Sequence, residues 1–196
     1  MTDERQSTLR NRLLALLIAG IGGLAATAIS FGMAVYAAAN PEPVPVVAPG
    51  KAIDTGRWII TPERAYSGNT PPTGIPSPDP RTYVMLEFDL ENRSAVSSYA
   101  STNLISLDPP IPGLKNPVVH LARDSWIASP VHPGMPEKMV IAWEWPAGLS
   151  VPRALRVLVG GQFYKRRDNL YGASSWFNGD TVAVVELPVT AEQRPQ

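Results

Sequence analysis

The chain holds two histidines and no cysteine among its 196 residues, so few positions can do nucleophilic or metal chemistry. A nucleophile–base pair needs a histidine beside a hydroxyl or thiol. His120 falls inside the apolar run Val118–Ala122, the setting of an edge or half-buried strand residue. His132 lies in the turn His132-Pro133-Gly134-Met135-Pro136, a solvent-facing position. Asp124 stands between them, but the three have no metal-ligand spacing. There is no G-x-S-x-G elbow and no phosphate-binding glycine loop. Paired carboxylates for glycoside chemistry could come from Glu87, Asp89, Glu91 and Glu144. The first three alternate along one face of one segment, where charge is expected on the solvent side. Trp143 and Trp145 flank Glu144; if both indoles face a core, alternation turns Glu144 outward as a surface acid. No catalytic residue, metal site or cofactor is assigned, and the chain is not expected to be an enzyme.

Aromatic residues offer binding instead. Trp58, Trp143 and Trp145 lie in apolar runs and are expected in a core, where each buries a large area. Tyr164, Arg166, Arg167, Tyr171 and Trp176 lie in the irregular stretch 162–177, beside Lys165. Exposed aromatics together with arginine are the composition of interface hot spots. The same residues would serve equally to pin a long loop to a sheet. The stretch 162–179 reads as an ordered loop or a turn of helix, and Gly160-Gly161 as a flexible turn.

These candidates must be positioned by two kinds of element. From Leu13 to Ala39 no residue is charged. As a helix this stretch extends about 40 Å, against a hydrocarbon core of about 30 Å. Ala37-Ala38-Ala39 would suit signal-peptide cleavage, but the apolar stretch exceeds the usual h-region, so a retained transmembrane helix is expected. Arg5, Arg10 and Arg12 precede it, while only Lys51 and Arg57 follow closely, which keeps the tail cytoplasmic. Gly22, Ala26, Ser30, Ala34 and Ala38 form a row of small residues at four-residue spacing. Such rows let helices approach closely in lipid, so a second copy or another membrane protein is the expected helix partner.

The remainder is proline-rich: the chain has 21 prolines, clustered between short apolar runs. That pattern marks a loop-rich β fold. Asn40–Gly50 alternates prolines as an extended spacer. Arg57–Ile60 and Glu63–Tyr66 read as one strand interrupted at Pro62, followed by a proline-rich loop over 67–80. Thr82–Glu91 alternates Val84, Leu86, Phe88 and Leu90 on a core face with Tyr83, Met85, Glu87, Asp89 and Glu91 on a solvent face. Further strands are expected at Leu104–Leu107, Val118–Ala122, Lys138–Trp145, Ala154–Val159 and Asp180–Leu187. The organisation is a tail (1–12), a transmembrane helix (13–39), a linker (40–51), a sandwich domain (52–190) and a C-terminal tail (191–196).

The order GRWIITPERAY, TYVMLEFDLENRS, HPGMPEKMVIAWEWP resembles the telokin-like or immunoglobulin-like extracellular domains of bacterial single-pass membrane-anchored proteins. The resemblance implies an all-β, antiparallel immunoglobulin-like sandwich outside the cytoplasm, with its motifs structural. It implies no activity. Net charge is zero without blocks of one sign, so no nucleic-acid partner is expected. The expected function is that of a non-enzymatic accessory protein of the bacterial envelope, held in the inner membrane with its domain periplasmic or extracellular. It would act through its helix and its sandwich. The alternative is a module binding envelope polysaccharide through residues 162–177.

Overall fold

The structure, a computed structural model, describes residues 22–170 and 172–191. They fall into two compact units divided at Pro43 and Val44. The first contains a helix, α1, over Gly22–Ala39, uncharged and exposed along its length. It is long and apolar enough to cross a membrane. The expected start at Leu13 and the tail expected to set orientation lie outside the described residues. Thr27 donates its hydroxyl to the Gly23 carbonyl at 2.9 Å, satisfying its polar group within the helix.

The second unit is a β-sandwich. Its strands are β1 (Val46–Val47), β2 (Ile53–Asp54), β3 (Trp58–Gly68), β4 (Thr82–Asn92), β5 (Ile105–Leu107), β6 (Val118–Leu121), β7 (Glu137–Trp145), β8 (Ala154–Lys165) and β9 (Ser175–Ala191). They hydrogen-bond in the order β5-β8-β9-β3-β4-β7-β6, with β1 added to β9 and β2 to β3. β9 belongs to both layers: between Ser175 and Pro188 it pairs antiparallel with β8, and Val189–Ala191 pair parallel with β3. The β1–β9 pairing is also parallel. The sandwich is therefore antiparallel apart from the two contacts β9 makes with β1 and β3.

Alternation explains the core. Val84, Leu86, Phe88 and Leu90 from β4 meet Met139, Ile141, Trp143 and Trp145 from β7, and the facing layer supplies Leu155, Val157, Val159, Val185 and Leu187. Trp58 is buried with them, as the aromatic runs predict. β3 runs through Pro62 without breaking; one extra residue, Glu63, is accommodated as a bulge.

Several expectations need correction. Met85 is not on a solvent face: it is buried with Val140 and Ala142, against Tyr66, Tyr83 and Ala122. Pro71, Pro72 and Gly74 of the proline-rich loop line a 280 Å³ cleft with Tyr66 and Val140. The linker expected over 40–51 gives up Val46–Val47 to β1, because the two valines can complete the β9 edge. Gly160-Gly161 is no flexible turn but lies within β8, at two register shifts against β9. A Cβ on Gly161 would stand 2.8 Å from Val182 Cγ1, so the glycine permits close strand approach. The stretch 162–179 is not one long loop or a helix: β8 extends into it as far as Lys165 and β9 begins at Ser175, forming a two-stranded ribbon that pairs Gln162 with Asn178, Phe163 with Phe177, Tyr164 with Trp176 and Lys165 with Ser175.

The Glu-Asn-x-Ser sequence ending β4 has a structural task. Asn92 is fully buried; its amide donates to the carbonyls of Val96 (2.9 Å) and Val131 (2.8 Å). Its Oδ1 accepts from the Ser94 backbone N–H and hydroxyl. One side chain thereby fixes the chain reversal and ties it to the start of the β7 connection.

Candidate functional site

The ribbon and its connecting turn carry Tyr164, Arg166, Arg167 and Trp176, four of the five binding residues named in this stretch. Neighbouring strand residues point to opposite faces. One face therefore carries Phe163 and Phe177, with ring centroids 6.0 Å apart, and the other Tyr164 and Trp176, at 5.3 Å. Lys165 Nζ sits 4.6 Å from the Phe177 centroid and 5.5 Å from that of Phe163. Arg57 covers Trp176 at 5.7 Å and Trp58 at 5.4 Å. Such cation–π contacts hold charge beside aromatic surface without neutralising it. Arg166 and Arg167 are exposed in the connecting turn, and Leu170 there is 79 % exposed. Tyr171 lies outside the described residues.

The ribbon's base is rigid. The Gln162 backbone N–H donates to the Thr55 carbonyl at 2.5 Å, and Trp58 Nε1 donates to Gln162 Oε1 at 3.0 Å. Gln162 Nε2 in turn donates to Asn178 Oδ1. Gly56, at φ +93°, passes directly beneath the Gln162 carbonyl. Arg57 donates to the Ser98 hydroxyl while its Nε is buried without a partner, and burial lowers its pKa. Sequence reasoning missed Phe163, Phe177, Gln162 and Arg57 as members of this site. The signal was the pairing of Phe163-Tyr164 with Trp176-Phe177 across a turn, a cross-strand match that periodicity within one segment does not reveal.

Gly22, Ala26, Ser30 and Ala34 lie along α1 at the expected spacing, all exposed. Their row belongs to a separate unit from the ribbon.

Three of the four acids nominated for chemistry, Glu87, Asp89 and Glu144, are engaged by cations. Glu144 accepts from Arg81 Nη1 at 2.9 Å and Lys115 Nζ at 3.1 Å. The Lys115 hydrogen bond, joined by the Arg81 charge and opposed by burial, lowers its pKa. That is the opposite of the shift a general acid requires. Glu87 accepts two hydrogen bonds from Arg64, at 2.9 and 2.6 Å, and the hydrogen bond raises the Arg64 pKa. Lys138 bridges Glu63 and Asp89; burial opposes its raised pKa, but those two hydrogen bonds outweigh it.

His120 is buried on edge strand β6 and its Nδ1 lies 3.0 Å from the Ser125 carbonyl oxygen, which can only accept, so Nδ1 carries the proton. His132 is exposed, with Nδ1 2.7 Å from Ser97 Oγ, a pairing the sequence reading did not foresee. Among the described residues no cluster of three metal-ligating side chains occurs.

The class these features define is an all-β sandwich carrying an aromatic, basic ribbon, preceded by an apolar helix long enough to cross a membrane. No protein-family model matches the chain, and no curated protein does. Among solved structures the chain is similar to an uncharacterised β-sandwich protein from Clostridium difficile 630. The TM-score is 0.42 at 9 % identity, covering 75 % of this chain and 97 % of that one.

Proposed function

We propose that this is a non-enzymatic, membrane-anchored accessory protein of the bacterial cell envelope, with its N-terminus cytoplasmic and its sandwich periplasmic or extracellular. The observation that carries the reading is α1: an uncharged, fully exposed helix of membrane-spanning length joined by a short linker to one sandwich. The helix presents Gly22, Ala26, Ser30 and Ala34 for contact with a second copy or another membrane protein, and the sandwich presents its ribbon. The neutralised carboxylates support a binding role over hydrolysis. The telokin-like or immunoglobulin-like resemblance agrees with that arrangement, since its Glu-Asn-x-Ser motif serves a turn. A glycan-binding reading of residues 162–177 has less support: Lys165 and Arg57 lie over the ring faces on which a sugar would stack.

A photocrosslinker at Ala26 in the full chain tests the helix contact in native membranes. Capture of a second copy or a discrete membrane protein, reduced by Gly22→Leu and unaffected by Leu17→Val, is the expected result. Labelling of lipid alone would reject the helix as a protein-binding element. Intact mass of the membrane-extracted protein should include residues 1–39; a mature start at Asn40 would reject anchoring.

A further inference from the structure

We infer that the ribbon end of the sandwich rests on an anionic phospholipid surface, with the turn 166–170 entering the headgroup layer. The inference rests on the proposed membrane anchoring and adds the surface that the domain itself uses.

Strand direction is the first argument. β1 pairs parallel with β9, Val46 against Val184, and Val184 N–H donates to the Pro45 carbonyl at 2.9 Å. The chain arriving at β1 therefore enters from the side toward which β9 runs back to Ser175, which is the ribbon side. β3 pairs parallel with β9 as well, placing Trp58 and its partner Asn92 at that same end.

Length is the second. Asn40–Pro45, fully extended, spans about 20 Å at roughly 3.1 Å per residue. From Val184 back to Ser175, β9 covers about 30 Å at roughly 3.3 Å per residue. A tether leaving on the ribbon side is thus shorter than the ribbon's own reach.

Chemistry is the third. Exposed large apolar residues occur at this end, with Val96 and Tyr99 after β4, Met135 before β7, and Tyr164 and Leu170 on the ribbon, while Trp126 and Ile127 are exposed beside β6. The opposite end exposes Ile75 and Leu149. Lys165, Arg166 and Arg167 stand against one acid on the ribbon, Asp168, whose Oδ1 accepts from the Leu170 N–H to shape the turn. Basic side chains attract anionic headgroups, and tyrosine and tryptophan favour the interface, where one part of the ring is dry and the other wet. Cations stacked on Phe177 and Trp176 can face phosphate while the rings face acyl chain.

The chain has no native cysteine, so single labels are clean. Full-length Leu170→Cys, Ile75→Cys and Ala26→Cys would each carry an NBD fluorophore. Each would be reconstituted in phosphatidylcholine vesicles with and without phosphatidylglycerol, using brominated acyl chains as quencher. Ala26 should be quenched in both lipids and Ile75 in neither. Leu170 should be quenched when phosphatidylglycerol is present. Combining Lys165→Gln, Arg166→Gln and Arg167→Gln should leave Ala26 quenched and lower the ratio of docked to undocked ribbon, read from Leu170 quenching, about fivefold per charge removed. If Ala26 escapes quenching, the anchoring reading fails. If Ala26 is quenched but Leu170 stays as unquenched as Ile75 in both lipids, the anchor stands and this inference is overturned; the ribbon would then face a soluble partner.

Discussion

Gly56 lies so close beneath the carbonyl of Gln162 that an added Cβ would overlap its oxygen, and that oxygen is backbone and cannot step aside. The contact joins the β2–β3 turn to the root of the ribbon. Gly134 has a positive φ too, +67°, but faces open space. Gly134→Ala should cost about 1 kcal/mol, the conformational penalty alone, and Gly56→Ala upward of about 2 kcal/mol because overlap adds to it. Urea unfolding in detergent would measure both. Near-ultraviolet circular dichroism should also change in Gly56→Ala alone, since Trp58 and Trp176 sit beside the joint. Equal costs for the two variants would show that the ribbon root yields freely.

Asn92 tests the turn at the end of β4. Asn92→Leu fills similar space but removes the amide donor from the Val96 and Val131 carbonyls, leaving them to Ser94 and Ser98, and takes the acceptor from the Ser94 N–H and hydroxyl. The expected loss is about 2–4 kcal/mol. Asn92→Asp keeps the acceptor for Ser94 yet supplies no amide hydrogens, so its loss should be as large. Thermal unfolding of either variant within about 1 kcal/mol of the parent would contradict the network.

Glu144 predicts an acid dependence. Its folded pKa is depressed by Lys115 and Arg81, so its stabilising contribution is complete above the unfolded value of about 4.3. It is lost as pH falls through the lower folded value. The partners are part-exposed, which limits the effect to below about 1 kcal/mol. Parent protein should therefore lose slightly more stability than Glu144→Gln between about pH 5 and pH 3. Parallel curves for the two would remove the ion pairs from the stability argument.

Ser97 and His132 offer a direct test of the non-enzymatic reading. A serine oxygen 2.7 Å from an imidazole nitrogen resembles a nucleophile and its base. Both are exposed on connecting segments, where water competes for the same atoms. A fluorophosphonate probe should label the full chain no faster than Ser97→Ala. Stoichiometric labelling lost in that variant would identify a hydrolase.

The core was legible because its strands obey a period of two over long stretches. Val84 through Leu90 alternate except at Met85, whereas Met139 through Trp143 is a continuous apolar run with Val140 and Ala142 buried on the opposite face. Trp58, Trp143 and Trp145 followed from the same rule. Legibility failed where a residue's partner is distant in sequence. Met85 looked solvent-facing but is buried among Val140, Ala142, Tyr66 and Ala122, which other segments bring to it. Val46–Val47 looked like spacer until β9 supplied a partner strand. The ribbon was hidden because glycines and charges interrupt its apolar pattern, and its pairing runs across a turn whose composition resembles an irregular loop. Its residue types were readable as binding chemistry, but the cation–π stacks with Arg57 and Lys165 required the third dimension.

The β1–β9 contact also has a mechanical meaning. With the ribbon side toward the anchor, as inferred above, tension carried through Asn40–Pro45 would arrive along the axis of β1, so its bonds to β9 would be sheared together and not peeled singly. With two residues in register, this clasp is the first pairing such a load meets. The next lies at Gly50, whose N–H donates to the Pro62 carbonyl at 2.7 Å. Opening the clasp would lengthen the free tether by about 10 Å, at roughly 3.1 Å per released residue, and leave the core of the sandwich intact.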